Sequence, residues 1–355
     1  MSLAAGTAGA SARTASSLRR LAHSSPRSPS RTLRSLSVLT AVNTYAVIVI
    51  GGVVRVTGSG LGCDAPGDNG WPLCRGALLP PLQQQAIIEF SHRWLVASLS
   101  GLLLALVATV LLRYRHQRRL VAGVVAVVAL LAVQIALGQL TVQHKLPGSI
   151  VMVHLANAEL LLGVLLWTVL LTFVPAAPAR AAVGDDRAAQ VAVRRLALAA
   201  AGVYLLVLSG ALVVAEGAGY ACEGWPLCGG GLRLDSSQLA IYNASHRAVA
   251  GAVGLLVAVA LLGAWRVRRS HAAVRPLVGV AITLLLAQGA AGAILVETRL
   301  PAAARSLHEA LASAVWAVVI LLFLLLRQIA AVTADAEPRG SAVRARALPI
   351  RTAAP

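Results

Sequence analysis

One unit of sequence occurs twice in this chain, and its internal spacing limits the folds open to it more than any other feature. Gly70-Trp71-Pro72-Leu73-Cys74 is followed, eighteen residues beyond the Cys, by His92 within Ser91-His92-Arg93. Gly224-Trp225-Pro226-Leu227-Cys228 is followed at the same spacing by His246 within Ser245-His246-Arg247. The copies lie 154 residues apart, and the offset continues through Gln134 and Gln288, Gly138 and Gly292, Pro147 and Pro301, and His154 and His308. Upstream of the turn the offset is 159, because the first loop is longer; there Tyr45 pairs with Tyr204, Gly51 with Gly210, Gly58 with Gly217 and Cys63 with Cys222. The chain is therefore two copies of one structural unit, each with two cysteines and two histidines at matching places.

What the unit is made of follows from composition. With 58% hydrophobic and 12% charged residues over 355 positions, and a mean hydropathy of +0.77, the chain reads as a polytopic membrane protein. Eight apolar runs, at about 37–56, 89–112, 120–141, 149–174, 195–215, 243–265, 275–296 and 306–329, each approach the roughly 20 residues that cross a hydrocarbon core. The expected fold class is an all-α integral membrane protein, eight transmembrane helices arranged as two tandem four-helix bundles. Four spans per copy is an even number, so the copies enter the membrane in the same sense, as parallel repeats about an axis along the membrane normal.

A net charge of +18 would suit a nucleic-acid partner if it formed a patch interleaved with aromatics. Instead most Lys and Arg residues sit in the N-terminal segment, in the loops after the second, fourth and sixth spans, and beyond Arg327. That is the signature of topology, not of nucleic acid, and it puts both termini in the cytoplasm and the cysteine-bearing loops outside. A reporter active only outside the membrane is expected to work when fused within 216–242 and to fail within 266–274; the reverse pattern would overturn this orientation. Outside, the simple reading of two cysteines per loop is one disulfide per half, Cys63 with Cys74 and Cys222 with Cys228.

The expected organisation is a disordered basic cytoplasmic tail (1–35), a first repeat (36–175), a cytoplasmic linker (176–194), a second repeat (195–330) and a cytoplasmic tail (331–355). The first tail is rich in Ser, Ala and Arg and has no acidic residue, so composition leaves a transit peptide open.

His92 and His246 fall at the outer ends of spans two and six, His154 and His308 at the outer starts of spans four and eight. A single histidine in a membrane helix commonly serves as an inter-helix hydrogen bond. Four at one depth, two per repeat, favour metal ligation, because imidazoles on different helices of a bundle can take both axial positions of a haem. Zinc would call for a tetrahedral set with thiolates or carboxylates nearby. No Cys-x-x-Cys-His occurs, so a haem here has no thioether links. Arg93 and Arg247 suit either haem propionates or interfacial snorkelling. His23, His116 and His271 lie in basic cytoplasmic segments, and His144 has Thr298 as its counterpart, so none of these is counted as a ligand.

The copies differ at Glu89, one turn before His92, whose counterpart is Asn243. A carboxylate there could relay a proton or stabilise positive charge at a porphyrin edge, or simply be solvated at the interface. Glu159, opposite Ser313 in the other copy, is a secondary candidate as an ionisable residue inside a span. Gln134 and Gln288, each four residues before a Gly, read as inter-helix packing positions.

Glu89-x-x-His92, His154, His246 and His308, together with paired-cysteine external loops bearing Trp-Pro-Leu-Cys, resemble the haem A synthase family across all eight spans. The resemblance implies that His246 and His308 hold a haem b cofactor. It implies that His92 and His154 receive haem O, whose C8 methyl group is oxidised stepwise to the formyl group of haem A for cytochrome oxidase. Glu89 falls on the family's catalytic glutamate, and Cys63 with Cys74 on a cysteine pair proposed to handle electrons or substrate. Cysteine pairs in both loops resemble the bacterial branch, which argues against a transit peptide and implies the bacterial cell membrane. Implied partners are haem O, delivered by a haem O synthase, and membrane lipid; a homo-oligomer stays open. The rivals are a bis-histidine di-haem b electron carrier and a transporter with parallel repeats, and the contrast of Glu89 with Asn243 favours chemistry confined to one half.

Overall fold

A chain segment in lipid must satisfy its backbone N–H and C=O groups internally, and a helix does so. The computed structural model describes residues 28–63, 73–174, 187–226, 228, 237–267 and 274–345, with side chains as far as Ala331. Each apolar run in it is a helix: α1 (Arg31–Val56), α2 (Gln84–Arg113), α3 (Arg118–Gln143), α4 (Gly148–Phe173), α5 (Arg187–Ala215), α6 (Gln238–Val267), α7 (Val274–Glu297) and α8 (Ala302–Ala345). All eight are long and apolar enough to cross a membrane, and there is no strand among the described residues. The tail 1–27, Gly70-Trp71-Pro72, Leu227, linker residues 175–186, His23, His271 and the terminal 346–355 fall outside the described residues.

The helices overrun the apolar runs, because hydropathy registers the hydrocarbon and not the cap. α1 starts at Arg31, six residues before its run, where the Ser30 side chain accepts a hydrogen bond from the Leu33 amide. Its first turn is also held by Arg34, whose Nε donates to the Thr172 carbonyl at the end of α4 and whose guanidinium lies over Phe173. α5 likewise begins eight residues before its run, and α8 continues well past its own.

Within the first half α1 packs on α2 and α4, and α3 on α4; within the second α5 packs on α6 and α8, and α7 on α8. Buried apolar residues form one cluster from α1–α4, around Leu103, Leu106 and Leu165, and another centred on α5–α8, around Leu196, Val319 and Leu322. Leu104, Leu112, Val125, Leu198, Leu255 and Leu286 project outward, as lipid-facing positions do.

Where the halves meet, the contacts are reciprocal. Tyr45 donates to the Ala310 carbonyl (3.0 Å), and its counterpart Tyr204 donates to the carbonyl of Ala156, the counterpart of Ala310 (3.1 Å). Equivalent positions also meet each other: the Ser313 hydroxyl donates to Glu159, and Gln328 Nε2 donates to the Val174 carbonyl, each pair 154 residues apart. Such reciprocity is what a two-fold relation between halves requires.

The repeat persists in irregular backbone. In the turn before α4, Lys145 and Leu146 have φ of 57° and 63°; before α8, Arg299 and Leu300 have 58° and 60°. These leucines fold down onto Gly60 and Gly219, where an added Cβ would lie 3.0 and 3.3 Å from the leucine methyls. Glycine at those two places lets the turn close against the outer loop.

Candidate functional site

His92 and His246 lie eight residues past the first residue of α2 and α6, His154 and His308 six past the first of α4 and α8. Each therefore lies within about the first three turns of its helix. His92 and His154 are near enough to feel each other's charge, as are His246 and His308. The four sequence-predicted ligands therefore come together as two pairs, one per half.

Each ring lies against a glycine of the neighbouring helix. An added Cβ would stand 3.3 Å from His92 Cε1 at Gly51, 3.3 Å from His154 Cε1 at Gly138, 3.0 Å from His246 Cε1 at Gly210 and 3.2 Å from His308 Cε1 at Gly292. The glycines recognised as repeat partners are thus the walls on which the imidazoles lean, and any side chain there would press on the ring.

The ring nitrogens are held differently. His246 Nδ1 is 2.8 Å from Ser209 Oγ, whereas Nδ1 of His92, His154 and His308 is buried without a hydrogen-bond partner. Gln134 Nε2 lies 3.1 Å from His154 Nε2, and Asn157 Nδ2 donates to Gln134 Oε1 (2.7 Å) and to the Leu130 carbonyl (2.9 Å). Gln288 Nε2 is 3.5 Å from His308 Nε2, and its Oε1 is buried without a partner. Gln134 does link helices, through Asn157 as well as His154, and Gln288 approaches His308; the packing expectation did not include the histidines.

The outer loops are anchored to the same helices. Cys63–Cys74 and Cys222–Cys228 are disulfides, and among the described residues no cysteine is free. Glu89 is 4% exposed, not solvated at the interface: Oε2 accepts from the Cys63 amide (2.8 Å) and Oε1 accepts from Arg93 Nη2 (2.6 Å). Arg93 Nη1 also donates to the Leu73 carbonyl. In the second half Asn243 Nδ2 donates to the Ala218 and Gly219 carbonyls, and Arg247 donates to Asn243 Oδ1 and to the carbonyls of Gly224 and Cys222. Both arginines grip the loop above their histidine, a role the propionate and snorkelling readings left out.

Glu159 is fully buried at the seam between the halves, bonded to Ser313 through Oε1, while Oε2 is without a partner. Beside it lies Glu309, which sequence reasoning missed; its carboxyl packs on Gly52 of α1, with Arg55 and Arg305 as charged neighbours. Ser209 and Asn157 were missed too. The available signal was the aligned copies, which set Ile50 against Ser209, Asn157 against Leu311 and Leu155 against Glu309.

Among the described residues no three His, Cys, Asp or Glu side chains converge on one point. Two imidazoles per half, each lying against a glycine, are a donor set that fits a haem iron.

Residues 34–320 match the COX15-CtaA family, described as cytochrome oxidase assembly protein. The chain is similar to the haem A synthase of Symbiobacterium thermophilum, with 31% identity over 81% of this chain and 93% of that protein. It is also similar to the haem A synthases of Geobacillus kaustophilus (29% identity, 83% of this chain and 92% of that protein) and Bacillus cereus (27%, 83% and 93%).

Proposed function

Because the chain belongs to the COX15-CtaA family of cytochrome oxidase assembly proteins, we infer that it is a multi-pass membrane enzyme that forms haem A by oxidising the methyl group of haem O to a formyl group. Two pairs of partly buried imidazoles, one pair in each half and each ring against a glycine, are the observation that supports a two-haem enzyme at the level of residues.

In this reading His246 and His308 hold a resident haem b, and His92 and His154 receive haem O. A haem b so held supplies a one-electron redox centre when bound. His92 and His154 orient the substrate, and the apolar faces of α1–α4 keep water from it. Turning a methyl into a formyl group replaces two C–H bonds by a C=O bond, an oxidation that draws on an oxygen source and an external electron acceptor, and Glu89, a turn before His92, would take a proton released at that carbon. Arg93 aims that carboxylate through its paired hydrogen bonds. The division of labour between two four-helix halves, cytoplasmic termini in a bacterial cell membrane, and delivery of haem O by a haem O synthase complete the proposal.

Haem extraction from cells co-expressing the chain with a haem O synthase tests it. Haem A is the expected new product; haem O left unaltered beside haem B would instead indicate a di-haem electron carrier.

A further inference from the structure

We propose that Ser209 makes the second-half site a retaining one: its hydroxyl fixes His246 in the tautomer that presents Nε2 to iron, and Ile50, at the matching position, leaves His92 without that lock. Ser209 can act so only if His246 and His308 hold the resident haem, as assigned above.

A serine hydroxyl has one proton to give. That of Ser209 is directed at the Leu206 carbonyl, 2.8 Å away and nearly one turn back along α5. Its oxygen is left as an acceptor, and His246 Nδ1 at 2.8 Å must therefore be the donor. A proton held on Nδ1 leaves the lone pair on Nε2, the state a ligating histidine needs. Gly210, the next residue, lies against Cε1 of the ring, so the imidazole is constrained both by a wall and at one nitrogen.

The first half has the wall without the lock. Gly51 supports His92, but its neighbour is Ile50, and His92 Nδ1 is buried without a hydrogen-bond partner. Its partner His154 is set up for release in a second way. Asn157, pinned to the Leu130 carbonyl, takes Gln134 Oε1 and so turns the Gln134 amide N–H toward His154 Nε2. The ligating nitrogen then has a hydrogen bond to return to whenever iron leaves. In the second half Leu311 replaces Asn157, Gln288 Oε1 is orphaned, and the Gln288 to His308 contact is 3.5 Å. A product must leave one half at every turnover while the cofactor stays in the other, and the imidazole hydrogen bonds differ in that sense.

The test uses the full chain in detergent, measuring how fast excess apomyoglobin strips its haem b and the midpoint potential of that haem. Loss of an outer partner of a metal ligand typically costs about 10- to 100-fold in affinity. Ser209→Ala is expected to speed haem b loss by that order and to raise the potential, since the imidazole no longer gains anionic character by donating. Ser209→Thr, which keeps the hydroxyl, is expected to retain both wild-type values. Ile50→Ser, loaded with haem O, is expected to slow release from the first half. Wild-type loss and potential in Ser209→Ala would overturn the lock, and so would Ser209→Thr behaving like Ser209→Ala, which would make packing the cause. Should Ser209→Ala not fold, unchanged haem O release in Ile50→Ser overturns it. A wrong haem assignment looks different: His246→Ala would then keep its full haem b, whatever Ser209 variants do.

Discussion

His246→Ala and His308→Ala are each expected to yield a folded protein without low-spin haem b and with no haem A formation. His246 and His308 would be the two protein ligands that keep a haem b low-spin, and removing either would leave the group a single tether. Nothing nearby can stand in, since no third His, Cys, Asp or Glu converges on the pair among the described residues and the wall behind each ring is glycine. The seam contacts and the second-half core involve neither histidine, so the helices are expected to stay assembled. Haem per polypeptide and the reduced spectrum of the purified variants decide it. His92→Ala and His154→Ala should keep the haem b spectrum while losing haem A. If the first-half variants lose haem b and the second-half variants keep it, the halves have the opposite roles.

The eight helices were legible because lipid leaves an apolar run of that length few alternatives. Their ends were not, because they depend on partners distant in sequence. α1 begins where Ser30 can cap it and where Arg34 finds the end of α4 across 138 residues, and no local hydropathy window contains that contact. The repeat was legible as matched identities, and it located Tyr45 and Tyr204. That these residues bond across the seam to equivalent carbonyls could be known only once the halves were placed against each other.

At the site, the histidines stood out because imidazole inside an apolar run is costly without a purpose. Their glycines were visible as repeat partners, yet a glycine's role as a wall depends on which ring the neighbouring helix brings to it. Ser209, Asn157 and Glu309 were visible as differences between the copies, among many neutral differences. What separates Ser209 from those is its 2.8 Å contact with His246. Glu89 was legible as an asymmetry, but its burial under the disulfide loop was not, because that depends on the loop folding back over α2 to bring the Cys63 amide to it.

Glu89→Gln is expected to lower haem A formation by about 10² to 10⁴, the usual cost of losing a positioned acid-base group, with haem b content unchanged. The second half supplies the internal control. There an amide, Asn243, joins the outer loop to the helix and takes the hydrogen bond from Arg247. Anchoring the loop therefore needs a polar side chain and not a charge, so the negative charge in the first half is surplus to structure. The substitution does carry a local cost: one of the two acceptor oxygens becomes a donor facing the Cys63 amide or Arg93, worth about 1–3 kcal/mol for a buried group left unpaired. That loss is confined to the first loop and does not reach His246 or His308. It is checked directly by showing that Cys63 and Cys74 stay oxidised and that haem O still co-purifies with the variant. Asn243→Ala, which removes an anchor of the same kind from the other half, should leave haem A formation within a few-fold of wild type if chemistry is confined to the Glu89 side. The ratio of haem A to haem O in the two variants then separates the roles. Near-normal haem A in Glu89→Gln would sink the catalytic role, and an equal fall in Asn243→Ala would reduce both residues to loop anchors.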